Sequence, residues 1–390
     1  MILKPFWITV AAIGATSVGA FFNHYVPSSN PPASPPPNPG PAVNKPLPAV
    51  AAPTDWDRPA AARYLDSREV WWQSWNRAQQ DHGTYCISCH TQATYGLARP
   101  VLRQELGDPP PSGAERAMLD SIEKRVQLWK SVAPFYPDAE YGGGKEIESR
   151  NAEAVLNAII LSSYDQHRGH LGDTARLAFD NAWALQSQTG PTSGAWVWQN
   201  FHYSPWESPE SEYHGAALMA VAVVASPDDN LNNKKVADNI SALEKYISEN
   251  YDDQPLLNKI VALWASARIP GLVTREQRSE LLADLATRQQ DDGGWSLTDL
   301  GTWNRVDNTP LDSRSDGYAT GIIILALEEN GVTDSHVKRG LLWLVANQDR
   351  TTGAWPAWSL NKNRDLNTPV GQFMSDAATS YAVLALEQKQ

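Results

Sequence analysis

Ser315-Asp316-Gly317-Tyr318-Ala319-Thr320-Gly321-Ile322-Ile323-Ile324-Leu325-Ala326-Leu327 decides the architecture of this chain. From Gly321 to Leu327 every position is apolar or small, so a helix built from it is buried on most sides and not along one stripe. The opening recurs as Ser375-Asp376-Ala377-Ala378-Thr379-Ser380, which also runs into a Val/Leu/Ala-rich stretch. A second echo pairs Gln79-Gln80-Asp81-His82-Gly83-Thr84-Tyr85 with Gln289-Gln290-Asp291-Asp292-Gly293-Gly294-Trp295. Self-similarity of this kind marks a repeat architecture.

From Ala60 onward, segments with apolar residues at helical spacing alternate with loops rich in Gly, Pro, Asn and Asp. No sustained two-residue alternation argues for strands, so the body is all-α. Extending the echoes yields six helical hairpins, each a more polar first helix followed by a more apolar second one. The second helices start near His90, Ser149, Glu212, Pro255, Ser315 and Ser375. Six such pairs predict a ring of inner helices inside a ring of outer ones. Because each connection repeats the same sense, all six inner helices begin at one mouth.

Lys338-Arg339-Gly340-Leu341-Leu342-Trp343-Leu344, followed by Gln348, Gly353 and Trp355, resembles the QW motif of the squalene–hopene cyclase and prenyltransferase superfamily. Trp183, Gln188, Gly194 and Trp196 repeat it with an insertion, and Gln290, Gly293 and Trp295 repeat it in shortened form. The resemblance covers residues 60 to 388 and implies an (α/α)6 toroid, in which the motif's Gln and Trp stack between outer helices. It implies no activity here. The Asp-x-Asp-Asp motif of the cyclases is missing, and Asp312-Ser313-Arg314-Ser315-Asp316 is a poor substitute for it. The prenyltransferase zinc ligands and the Cys-Gly-Glu-Gln of the thioester members are missing as well.

Cys86-Ile87-Ser88-Cys89-His90 holds the only two cysteines among 390 residues. This is the C-x-x-C-H order by which c-type cytochromes attach haem, with Cys86 and Cys89 as thioether donors and His90 as axial ligand. Haem c is therefore the expected cofactor, and Met374, in the hairpin that adjoins the first, is the candidate distal ligand. Read otherwise, the cysteines form a disulfide or a zinc site.

Aligning the hairpins by their inner helices places His90, Glu212, Asp316 and Asp376 on one rim. Rim carboxylates could serve as acid and base, hold a metal or border a substrate. Ser-Asp at a helix start also reads as an N-cap followed by a dipole-favoured carboxylate. The 16 tryptophans fit repeat packing, and those near the rim could also line a cavity.

Residues 1–26 read as a signal peptide or membrane anchor, since 5–22 are uncharged and largely apolar behind Lys4. Residues 27–58 read as a linker, with eleven of the 28 prolines falling between Pro27 and Pro53. The toroid, with its cysteine motif, occupies 59–390. A net charge of −12 and the lack of a basic stripe argue against nucleic acid.

The leading functional expectation is an exported haem protein working in electron transfer or oxidoreduction. It would be periplasmic, with a redox partner or a small apolar ligand in the toroid, and membrane-tethered if the leader is not cleaved. One alternative is an isoprenoid- or glycan-active enzyme using Glu212, Asp316 and Asp376. Another is a scaffold that binds lipid or a partner.

Overall fold

The computed structural model describes residues 55–388, apart from 108, 167, 228–233 and 235. The leader at 1–26 and all of the linker before Asp55 lie outside the described residues. The chain forms six hairpins. They are α1 (Arg58–Ser74) with α2 (Gln92–Glu105), then α3 (Gly113–Gln127), the one-turn α4 (Asp138–Tyr141) and α5 (Lys145–Gln166), then α6 (Asp173–Leu185) with α7 (Ser211–Ala225). The other three are α8 (Ala237–Glu249) with α9 (Leu256–Ser266), α10 (Arg275–Arg288) with α11 (Gly317–Glu329), and α12 (Ser335–Asn347) with α13 (Phe373–Leu386). A short antiparallel pair, Gln79–Gln80 with Thr84–Tyr85, lies between α1 and α2. No described helix is long and apolar enough to cross a membrane.

Helices α2, α5, α7, α9, α11 and α13 pack each on the next, and α13 returns onto α2. The fold is an (α/α)6 toroid. Every residue of α11 from Gly317 to Leu327 is buried, as the all-round apolar sequence requires. Outer helices begin on local signals: Asp57 caps α1, Asp334 caps α12, and Ser112/Glu115 and Thr274/Gln277 form reciprocal capping boxes on α3 and α10.

The resemblance motif builds an interlock between neighbouring outer helices. Trp196, Trp295 and Trp355 each donate their indole N–H to a carbonyl three residues before the end of the preceding outer helix, at Ala182, Leu285 and Leu344. Gly194, Gly293 and Gly353 follow the same plan at φ 96°, 98° and 85°. A Cβ on any of them would press on the backbone of the next outer helix, at Ala242, Arg339 and Ala60 respectively. The glutamines then tie each repeat to the next, but their register differs from the sequence reading. Gln186, not Gln188, bonds Gly194 O and Asn239 O, and Gln289, not Gln290, bonds Gly293 O and His336 O. Gln348 is as expected, bonding Gly353 O and Asp57 O while accepting from Asp57 N–H at 2.6 Å. That last tie joins α12 to α1.

The inner-helix echo also shifts by one residue. Thr320 Oγ1 accepts from Trp295 N–H and Thr379 Oγ1 from Trp355 N–H, so these threonines are equivalent. Asp316 Oδ2 accepts from Leu297 N–H and Ser375 Oγ from Ala357 N–H, each two residues beyond that tryptophan. Asp316 therefore corresponds to Ser375 and not to Asp376. One residue on a helix is a turn of about 100°, and the two aspartates face different surroundings.

Candidate active site at the N-terminal mouth

Two cavities lie at opposite ends of the ring. Residues from the C-terminal ends of all six inner helices, Glu105, Gln166, Ala225, Trp264, Glu329 and Glu387 among them, line one of about 390 Å³. The inner helices thus run in one direction. The other cavity, about 230 Å³, lies where the inner helices start. A cavity of roughly 150 Å³ takes up benzene, so this one has room for a ligand of at least one six-membered ring.

Its wall brings together four residues singled out in the sequence: Cys86, Cys89, His90 and Met374. Trp72 enters from α1 and Trp75 from just past its end, Tyr203, Trp206 and Glu207 from the loop before α7, and Arg364 and Phe373 from the segment before and into α13. Glu207 was not legible as a site residue, because it sits in an aperiodic loop and acquires its surroundings only when the ring closes. Burial pushes its carboxyl up to about 7, against the opposing pull of Lys145 and Arg364. His90 stacks on Phe373 at a centroid distance of 3.9 Å and lies edge-on to Trp72 at 5.2 Å. Burial, with Arg68 and Arg364 adding to it, pushes this imidazole down to about 3, so it is neutral at pH 7.

The predicted rim carboxylates are not among the residues lining the cavity. Asp316 caps α11, accepting from Ala319 N–H and Leu297 N–H. Asp376 is buried against α1, where Arg68 grips both its oxygens at 2.6 and 2.9 Å and Tyr64 and Thr91 donate to it as well. Glu212 stands in the first turn of α7, where burial and then Glu148 raise its carboxyl. The three begin their helices at the same mouth but do not converge there. Near the same mouth Glu148 pairs with Lys145 and Arg150 with Glu153.

Both cysteines are free thiols. Burial pushes the Cys86 thiol up to about 12 and Cys89 higher still, so neither is a ready thiolate.

No family model matches the chain, and no curated protein matches it. Among solved structures it is similar to a wild-type glycosidase and to a glycosidase variant in complex with glucose. Each likeness is at 13% identity and a TM-score of 0.45, covering 84% of this chain and 97% of the other. A UGL variant with dGlcA-Glc-Rha-Glc is similar at 11% identity and a TM-score of 0.45, covering 84% of this chain and 95% of that one. These likenesses carry no substrate or residue role over to this chain.

The reading as a c-type haem protein in electron transfer or oxidoreduction is corrected. The solved structures similar to the chain are glycosidases. Among the described residues no group of three or more His, Cys, Asp and Glu could hold a metal ion, which bears on the zinc alternative for Cys86 and Cys89 and not on thioether attachment, where only His90 would meet the iron.

Proposed function

We propose that the chain is a glycan-active hydrolase whose acid and base are Glu207 and His90, acting on one sugar ring held in the N-terminal cavity. A single observation carries this reading: one aromatic-walled cavity holds a carboxyl pushed up to about 7 and an imidazole pushed down to about 3. Between those two values Glu207 is the group that holds a proton and His90 the one that lacks it. Glu207, half protonated near neutrality, donates a proton to the leaving glycosidic oxygen. Neutral His90 removes a proton from the attacking water, so the bond between anomeric carbon and oxygen is replaced by one to water with protons in balance. Trp72, Trp75, Trp206 and Tyr203 offer flat apolar faces to a sugar ring, while Gln199, Asn361 and Arg364 offer polar contacts to its hydroxyls.

In this reading Cys86 and Cys89 are a structural pair able to close into a disulfide in an oxidising compartment. Export by way of the apolar run at 5–22 belongs to the same proposal. Distant kinship with the QW-type superfamily is supported by the Gln, Gly and Trp interlocks and concerns descent, not chemistry.

The test is release of 4-nitrophenol from a panel of 4-nitrophenyl glycosides by the full chain. Glu207→Gln and His90→Gln are each expected to lower kcat by ~10²-fold or more with the melting temperature unchanged. Full activity in either variant overturns the assignment. A covalent haem absorption band in protein matured with the cytochrome c apparatus overturns the role given to the cysteines.

A further inference from the structure

A chain of hydrogen bonds runs from α1 across α13 to the cavity. Arg68 Nε and Nη2 donate to the two oxygens of Asp376 at 2.6 and 2.9 Å, and Tyr64 donates its hydroxyl to Oδ1 at 2.9 Å. Thr91 Oγ1 lies 2.7 Å from Asp376 Oδ2 and 2.8 Å from His90 Nδ1. Arg68, Thr91 and Asp376 are buried.

With Asp376 ionised, the proton count on this chain has one solution. A guanidinium only donates, so with Arg68 on both oxygens Asp376 is an acceptor. A threonine hydroxyl carries one proton, and it points at Asp376. Thr91 Oγ1 must then accept from His90, which places the imidazole proton on Nδ1. Nε2 is left with a bare lone pair and, among the described residues, no hydrogen-bond partner.

We propose that Asp376, acting through Thr91, is a positioning residue that fixes His90 as its Nδ1–H tautomer and presents Nε2 to the cavity as proton acceptor. The inference rests on the hydrolase reading for its purpose, but not for its geometry. It gives buried Asp376 a role at a distance: the carboxylate is not part of the cavity wall, and Arg68 anchors it to the outer ring. A purely structural ion pair would hold α1 to α13 with no consequence for the proton on His90.

The tautomer is read by long-range ¹H–¹⁵N correlation of the ¹⁵N-labelled full chain at pH 8, with His90 assigned by its loss in His90→Gln. The expected spectrum has His90 Nδ1 protonated and Nε2 unprotonated. Thr91→Val should abolish that preference and lower kcat for the 4-nitrophenyl glycoside by ~10²-fold with KM within about twofold, and Thr91→Ser should restore both. A proton on Nε2 in the wild type, or an unchanged tautomer in a folded Thr91→Val, overturns the proposal. If the wild type hydrolyses no glycoside, the hydrolase reading fails while the NMR result still decides the tautomer. Loss of the Nδ1–H tautomer in Thr91→Val with turnover unchanged overturns the positioning role alone.

Discussion

Glu207 is the residue whose environment makes acid chemistry available near neutrality. A general acid must be protonated, and its carboxyl is pushed up to about 7. On the wild type, kcat/KM should therefore fall on the alkaline side of about 7, tenfold per pH unit once well above it, measured between pH 5 and 9. A flat alkaline limb would remove Glu207 from the acid role. The thiols supply a second prediction at this scale. With Cys86 pushed up to about 12 by burial, alkylation of the folded protein by iodoacetamide at pH 7.5 should be slow at both cysteines and fast in urea. Rapid labelling of the native chain would contradict that picture. Cys86, Cys89, His90 and Met374 were legible because a motif and ring closure place them together. Glu207 and Arg68 were not. Arg68 meets Asp376 across 308 residues of sequence, and no local pattern announces a partner at that range.

The elements are joined by repeated interlocks, and their energetics belong to single side chains. Gly353 has φ 85°, and the Ala60 backbone of α1 lies where its Cβ would stand. Gly353→Ala combines backbone strain with a collision against backbone that cannot rotate away, and should cost about 2–4 kcal/mol in urea unfolding. Gln348→Ala strips the α12-to-α1 tie and strands the half-buried backbone of Asp57 and the buried carbonyl of Gly353, with an expected loss of about 2–3 kcal/mol. The near-equivalent change Gln188→Ala should cost less than 1 kcal/mol, because Gln186 holds the corresponding place in its repeat. Equal losses at 186 and 188 would show that the interlock is misassigned. Helix identity was legible from apolar content, and hairpin number from the echoes. Register was harder to read, since adjacent glutamines at 289 and 290 look alike in sequence and only the carbonyls they meet distinguish them. The same one-residue ambiguity set Asp376 equal to Asp316, although one faces Arg68 and the other caps a helix.

At the scale of the whole ring, closure traps ionisable groups between layers and makes stability a function of pH. Glu69 of α1 is fully buried, with Oε1 accepting from Gln73 and Gln92 while Oε2 has no partner among the described residues. Burial pushes its carboxyl up to about 7, and burial does the same to Asp316. A carboxyl whose folded value lies above its unfolded one binds more protons in the folded state. Its contribution is complete below about 4.5 and is lost as pH rises through about 7. His214, pushed down to about 4 by burial, works the other way, its contribution complete above 6.5 and lost as pH falls toward 4. His90 behaves alike, so the wild-type curve is a compromise between opposing sets, and a single substitution isolates one member. Gln at position 69 keeps an oxygen for both amide donors and mimics the neutral acid at every pH. Glu69→Gln should therefore match the wild type at pH 4.5 and exceed it at pH 8 by about 3 kcal/mol, the equivalent of the cited displacement at 1.36 kcal/mol per unit. Urea unfolding at the two pH values measures that difference. If it does not change with pH, Glu69 enters and leaves the ring in one protonation state, and closure exacts nothing from it.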